Sequence, residues 1–276
     1  MSTITREYAR LATYYYLLGV ACLGTCVTVG GLAWLALYPA MSCFLVASAY
    51  GSRRASFLHK AAGIHSPASI LLYGPYLLGV RCTWLYFSAR IAPWSEIMPG
   101  IVLGRRLREN EMTTLLRSQK VAVLDLAPEL PEAARDLIPD YKHVPMLDLV
   151  PPSGAQLDEA VAFVHTHYGR RMVFIHCSLG LGRGAAVVAA FLAGLGLDTR
   201  KTISLIRRTR GGVALTRATI HALEAHASRT CHAASHGLSP TACPMPTPAQ
   251  RDGLREFAVP KAVPSFRAST STLSAD

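Results

Sequence analysis

The hydrophobic pattern divides the chain into an apolar first third, a middle of alternating apolar runs and amphipathic stretches, and a polar end. No charged residue occurs from Leu11 to Ser52. About forty uncharged residues are enough for two helical spans joined by a tight turn. Gly30-Gly31 and Tyr38-Pro39 are the two candidate turns. A cleaved signal peptide would be shorter than this run. Arg53, Arg54 and Lys60 then make a basic loop, which the positive-inside rule places in the cytoplasm together with the N-terminus and its Arg6 and Arg10. A third apolar stretch, Ala61 to Ala89, is interrupted by Pro67, Gly74-Pro75 and Arg81. If it spans, the rest of the chain lies opposite the basic loop; if it is re-entrant or interfacial, both lie inside. Arg90, Arg105, Arg106 and Arg108 favour the second arrangement. Trp84, Tyr86 and Trp94 suit a membrane-interface belt, and core packing suits them equally.

After Pro93 the pattern changes to short apolar runs alternating with helical periodicity. Ile101–Leu103, Val121–Leu126, Tyr141–Leu147 and Met172–Ile175 read as strands. Glu109 to Gln119 is a helix with Met112, Leu115 and Leu116 on one face. Pro128 to Pro139 is an acidic segment bounded by prolines, with one helical turn. Ser153 caps a helix carrying Leu157, Val161 and Val164. A buried helix runs from Ala185 to Leu195, a further one opens at Asp198-Thr199 and runs through Arg208, and the last opens at Thr216 and runs through Ala227. Strands alternating with helices predict an α/β fold with a largely parallel central sheet flanked by helices. From Cys231 onward Pro, Ser, Thr and Ala dominate without apolar period, which reads as a flexible tail. The predicted organisation is therefore a membrane anchor over 1–92, a catalytic domain over 93–229 and a tail over 230–276.

Composition changes this picture little. The net charge of +11 is spread along the chain, without the basic cluster and interleaved aromatics that nucleic acid binding needs. Basic residues beside a membrane, attracted to anionic lipid, account for it better. The seven cysteines show no paired zinc spacing and no disulfide framework. His165 and His167 face different sides of a helix, His221 and His226 make an equally poor pair, and no metal or cofactor is expected.

The chemistry concentrates in Met172 to Ala190, MVFIHCSLGLGRGAAVVAA. A buried strand, a tight loop carrying Gly180 and Gly182, and a helix N-terminus together make an anion site, because inward-facing amides and the helix dipole supply positive potential. The loop is Ser178-Leu179-Gly180-Leu181-Gly182, closed by Arg183, whose guanidinium can fork two N–H bonds onto phosphate oxygens. Cys177 opens the loop in the same positive field, which favours a thiolate nucleophile. Arg207, Arg208 and Arg210 form a solvated face or touch an anionic partner.

His176-Cys177-x5-Arg183 resembles the signature of the cysteine-dependent protein-tyrosine and dual-specificity phosphatases, and the order of elements from Trp94 to Arg229 is similar to their catalytic domain. The resemblance implies a phosphomonoester hydrolase working through a phosphocysteine on Cys177. Arg183 and the loop amides hold the phosphoryl group, and His176 orders the loop and the thiolate by hydrogen bonding. It also implies a general acid on a loop after a strand about thirty residues upstream of the cysteine, where Asp148 stands. Leu149-Val150-Pro151-Pro152 after it would allow that loop to close. Asp125 is the rival, within a strand that should be buried, and Asp158 fits a helix's first turn. The family usually has Ser or Thr after the arginine, where its hydroxyl helps the cysteine leave; here Gly184 stands, and a Ser just inside a helix start is sterically ordinary. The resemblance favours phosphotyrosine or phosphoserine/threonine on proteins. The anchor raises a lipid phosphate, phosphatidylglycerophosphate or a phosphoinositide, as the alternative, and a phosphate-binding pseudoenzyme is the reading from a different class. The loop lacks the extra Lys or Arg that a multiply charged head group would call for.

Overall fold

The computed structural model describes residues 3–235. Helices α1 (Thr3–Val29) and α2 (Leu37–Gly51) form a hairpin through a 3-10 turn at Gly31–Ala36. Gly30 and Gly31 both take positive φ, 67° and 56°, conformations open to glycine and strained for other residues. Of the two candidate turns this is the one used, while Pro39 falls in the first turn of α2, where its missing N–H costs no helical bond. A two-residue ladder not foreseen from the pattern, β1 (Lys60–Ala61) with β2 (Ile64–His65), follows. Then α3 (Pro67–Ser88) runs unbroken through Pro75, capped by the Ser66 hydroxyl.

The α/β domain starts with β3 (Trp94–Met98) and β4 (Ile101–Arg105), an antiparallel pair of which the sequence reading saw only the second strand. Next come α4 (Glu109–Ser118), β5 (Val121–Asp125), the helical turn Arg135–Leu137 and β6 (Asp140–His143). The domain closes with α5 (Gly154–His167), β7 (Met172–Cys177), α6 (Arg183–Gly194), α7 (Thr199–Thr209) and α8 (Arg217–Ser235). The sheet order is β3-β4-β7-β5-β6, and every pair except β3–β4 is parallel. β7 therefore lies mid-sheet, and the loop after it emerges at the carboxyl ends of the parallel strands, where open α/β sheets bind ligands. β6 ends earlier than expected, at His143, although Val144 and Met146 still donate to Asp125 and Leu126 carbonyls. α8 continues past Ala227 to Ser235, so the tail anticipated from residue 230 begins inside a helix, and the remainder of that expectation falls outside the described residues.

The N-terminal helices are built onto the domain. Tyr8 of α1 donates to the Pro151 carbonyl at 3.1 Å, and Tyr50 of α2 to that of Asp148 at 3.3 Å. A cluster of Tyr8, Val46, Tyr50, Phe57 and Leu58 packs on Leu147 and Val150. Both ends of α3 touch the domain: His65, just before it, meets the Pro128 carbonyl at 2.7 Å, and near its other end the Trp84 indole donates to the Arg106 carbonyl at 3.3 Å. A helix tied at both ends lies along the domain, which fits the interfacial arrangement of the third apolar stretch.

Lys60 is not part of a solvated basic loop. Its side chain is 1% exposed and its ammonium is bonded to Asp125, itself fully buried, and to the carbonyls of Ala127 and Leu130 at 2.8 and 2.5 Å. Arg105 is likewise spent on a bidentate pair with Glu111, at 2.9 and 2.8 Å. Arg106 lies over the Trp84 ring. Two of the charges that the topology count used are therefore internal to the fold. Meanwhile, among the described residues, the large apolar side chains that remain exposed lie on α1, α2, α3 or the turn joining the first two, except Ile64, Leu137 and Leu149.

Lys60→Met removes one partner of a buried ion pair and leaves the Asp125 carboxylate uncompensated. The expected loss is about 3–5 kcal/mol in urea unfolding of the full chain, with part of it recovered on adding Asp125→Asn. A loss within the range of a surface substitution would mean that water reaches Asp125.

Candidate active site

β7 delivers Cys177 to the centre of the sheet's carboxyl edge, 2% exposed. The loop turns back sharply enough for the Gly180 N–H to donate to Cys177 Sγ at 3.2 Å. Gly180 has φ 70°, and a Cβ there would run into the backbone of Gly104 and Arg105, so two independent constraints require glycine. The Arg106 N–H donates to the Cys177 carbonyl at 2.8 Å, and the Ala214 N–H to that of Leu181 at 3.0 Å. Arg210, buried, donates to the carbonyls of Gly180 and Leu179 at 2.8 and 3.1 Å. Burial pushes its guanidinium down to about 10, against the opposing pull of Cys177. Of the three candidate arginines at the end of α7, this one braces the loop from behind, while Arg207 and Arg208 are exposed.

Arg183, at the first turn of α6, is 4% exposed. It donates to both Glu129 oxygens, through Nη1 at 2.9 Å and through Nη2, and to the Met146 carbonyl at 3.1 Å. The Ser178 hydroxyl bonds the same Glu129 carboxylate. Burial opposes the charge on Arg183, but Asp148 and Glu129 outweigh it and hold the guanidinium well above its ordinary range. Burial would raise Glu129, and Arg183 and Ser178 instead bring it below the ordinary carboxylate value.

Asp148 reaches the same cleft from the loop after β6, with Oδ1 3.2 Å from Arg183 Nε and its side chain 49% exposed. The Tyr8 and Tyr50 hydroxyls donate to carbonyls of that loop. Leu149 next to it is in the left-handed region, φ 60°, and 65% exposed. Asp125, the rival acid, is fully buried behind the sheet edge, where Lys60 and the Tyr141 hydroxyl occupy it. Asp158 pairs with His226 at 2.8 Å.

His176, expected to order the loop, pairs with a carboxylate. Its ring is fully buried, stacked on Phe174, with Nε2 2.9 Å from Glu132. Burial alone would lower its pKa, but the carboxylates of Glu132 and Asp125 raise it. Asp125, Glu132 and His176 gather ligand-type atoms in one buried cluster, where the Lys60 ammonium already supplies the cation.

Gly184 is not an open position. A Cβ built there would lie 2.6 Å from Cδ1 of Leu103, which is fully buried in β4. The close packing of α6 on β4 accounts for the glycine, and the expectation that serine fits freely is incorrect. Glu129 and Tyr50 were not singled out from the sequence, and Arg210 only as one of three arginines on a solvated face or against an anionic partner. A glutamate between prolines and an arginine among three give no local signal of burial, because their partners lie 54, 30 and 98 residues away.

Cys177, Arg183, Asp148 and Glu129 share the floor of one cleft of about 650 Å³, whose upper walls come from α1, α2 and α3. Residues 104–196 match the family model described as "Polymorphic toxin system, DSP-PTPase phosphatase". A comparison with curated proteins returns no match. Among solved structures, PTPMT1 is 18% identical over 52% of this chain and 99% of that one, with a TM-score of 0.48. The active form of Tk-PTP is 28% identical over 50% and 97%, with a TM-score of 0.46. Human DUSP28 is 18% identical over 50% and 95%, with a TM-score of 0.42.

Gly184→Ser should cost about 1–3 kcal/mol by forcing Leu103 aside. Combining it with Leu103→Val should restore most of that in thermal unfolding. An unaltered midpoint for the single variant would show that Leu103 yields without cost.

Proposed function

We propose that this chain, which carries a cysteine-dependent phosphatase domain of the dual-specificity/tyrosine type, hydrolyses phosphomonoesters at a membrane through a phosphocysteine on Cys177. The observation that carries the reading is the convergence of three groups on one cleft: a thiol that accepts the Gly180 amide, a buried guanidinium at a helix start, and the Asp148 carboxylate against it. Glu129 fixes the guanidinium from one side, which leaves its Nε edge, now facing Asp148, for a phosphoryl oxygen.

In the first step Cys177 Sγ attacks phosphorus, the ester P–O bond breaks, and Asp148 gives its proton to the departing oxygen. In the second, water attacks the phosphocysteine, Asp148 takes the water's proton, and the S–P bond breaks to release inorganic phosphate and the thiolate. The bound loop amides, the α6 dipole and Arg183 neutralise the charge on the transferring group, so the residues of the chain supply the positive field themselves. Sγ receives the Gly180 amide but no hydroxyl from position 184, so thiolate departure relies on the backbone.

Membrane attachment rests on the helices. α1 is about 40 Å long by helical rise, against a hydrocarbon core of about 30 Å. The spans Ile4–Val29 and Gly31–Gly51 are apolar enough to cross, and their buried shares are 11% and 28%. The most exposed apolar side chains, Leu32 at 86% and Leu35 at 76%, sit at the hairpin tip, away from the domain. The start of α1, the end of α2 and the exposed Arg53 and Arg54 all lie on the domain side. By the positive-inside rule that side is cytoplasmic.

Cys177→Ser should abolish hydrolysis of an aryl phosphate, while Asp148→Ala should slow poor leaving groups by about 100-fold or more and activated ones much less. Near-wild-type turnover by the serine variant would remove Cys177 from the mechanism, and equal losses for both leaving groups would remove Asp148 from the acid's role. A reporter fused after Ser235 should read cytoplasm, and a signal from the opposite face would reverse the topology.

A further inference from the structure

The catalytic cleft extends well beyond the residues around Cys177. It runs from Cys177 up between α1 and α3, past Tyr15, Leu18 and Cys22 on one wall and Tyr76, Gly79 and Val80 on the other. From Leu11 to Cys22 it follows about 16 Å of α1 by helical rise. That distance carries the cleft away from the sheet edge and along the segment assigned to the membrane. Among its lining residues the only cation is Arg183, and the two anions, Glu129 and Asp148, both contact it. The outer faces of the same helices remain apolar and exposed, at Leu17, Leu23, Leu71 and Leu78. Leu149, beside Asp148, extends that surface to the cleft.

From these observations we infer that the substrate is a membrane lipid bearing a single phosphomonoester, which enters sideways from the bilayer, its apolar chain lying between α1 and α3 and its phosphate on the Cys177 loop. This rests on the phosphomonoesterase reading above. The step is the same displacement, with the lipid alcohol as leaving group and inorganic phosphate as second product.

Three features carry the choice. An apolar corridor continuous with a phosphate cradle matches an amphiphile with a chain and one charged end. One guanidinium, already half engaged by Glu129, balances a monoester and lacks the additional cations that a polyphosphorylated head needs. A phosphorylated side chain on a protein carries no long apolar chain to lay along that corridor, so the apolar walls on α1 and α3 would go unused. The loop signature by itself favoured phosphoproteins; the walls of the cleft reverse that preference.

Gly79 offers a direct test, since a Cβ added there meets no atom within 4 Å and its side chain would point into the corridor. The full chain in phosphatidylcholine vesicles should hydrolyse long-chain phosphatidic acid with kcat/KM at least about 100-fold above that for a phosphotyrosine peptide, since each buried methylene adds affinity. Gly79→Phe should lower the ratio of phosphatidic acid to aryl phosphate hydrolysis at least about tenfold, whereas Leu78→Phe, on the outward face, should leave that ratio in place. A peptide hydrolysed as well as the lipid, or an unchanged ratio in Gly79→Phe, would overturn the lipid assignment while the hydrolase reading stands. Wild-type protein inert toward the aryl phosphate as well would instead overturn the hydrolase reading.

Discussion

A lysine ammonium buried against an aspartate joins the two halves of this molecule. Lys60 comes from the loop after the helical hairpin, and Asp125 ends a central strand of the α/β domain. The same ammonium binds the carbonyls of Ala127 and Leu130, which flank Glu129, and Glu129 in turn holds Arg183. The position of the Arg183 guanidinium thus depends on a residue from outside the α/β domain. Such a pair is stable only because its desolvation is matched by several well-placed partners. Tyr141, the Ala127 amide and His143 complete the set around Asp125.

The acid loop has a similar dependence. Tyr50 bonds the carbonyl of Asp148, Tyr8 that of Pro151, and Leu147 and Val150 fill the cluster beneath. The N-terminal helices therefore do two things at once. Their outer faces stay apolar and exposed, and their domain-facing sides seat the loop that carries Asp148.

Much of this was legible in the sequence because the signals are local. The apolar runs, the glycine pair at the hairpin turn, the Ser153 cap and the strand–loop–helix around Cys177 each depend on neighbours a few residues apart. What escaped depends on distant partners. Lys60 reads as a surface charge until Asp125 is placed against it, and Arg210 reads as one of a basic trio until the loop carbonyls arrive. Gly184 reads as a helix-start residue without constraint until β4 brings Leu103 alongside. His176 fits the signature by type, yet its hydrogen-bonding edge is turned to Glu132. The antiparallel strand Trp94–Met98 was hidden because its tryptophan suits a membrane interface as well as a sheet edge.

The Lys60 insertion also orders events during synthesis. The hairpin and its lysine leave the ribosome before β5 and the phosphate loop exist, and N-terminal segments fold first. The groups that hold the lysine, the Asp125 carboxylate and the Ala127 and Leu130 carbonyls, come together only when the α/β domain folds. A chain whose hairpin has not been seated meets an uncompensated charge at the middle of its sheet, and its Glu129 loop has no clamp. The geometry around Arg183 is in this way coupled, through Lys60 and Glu129, to the placement of the helices that precede the domain.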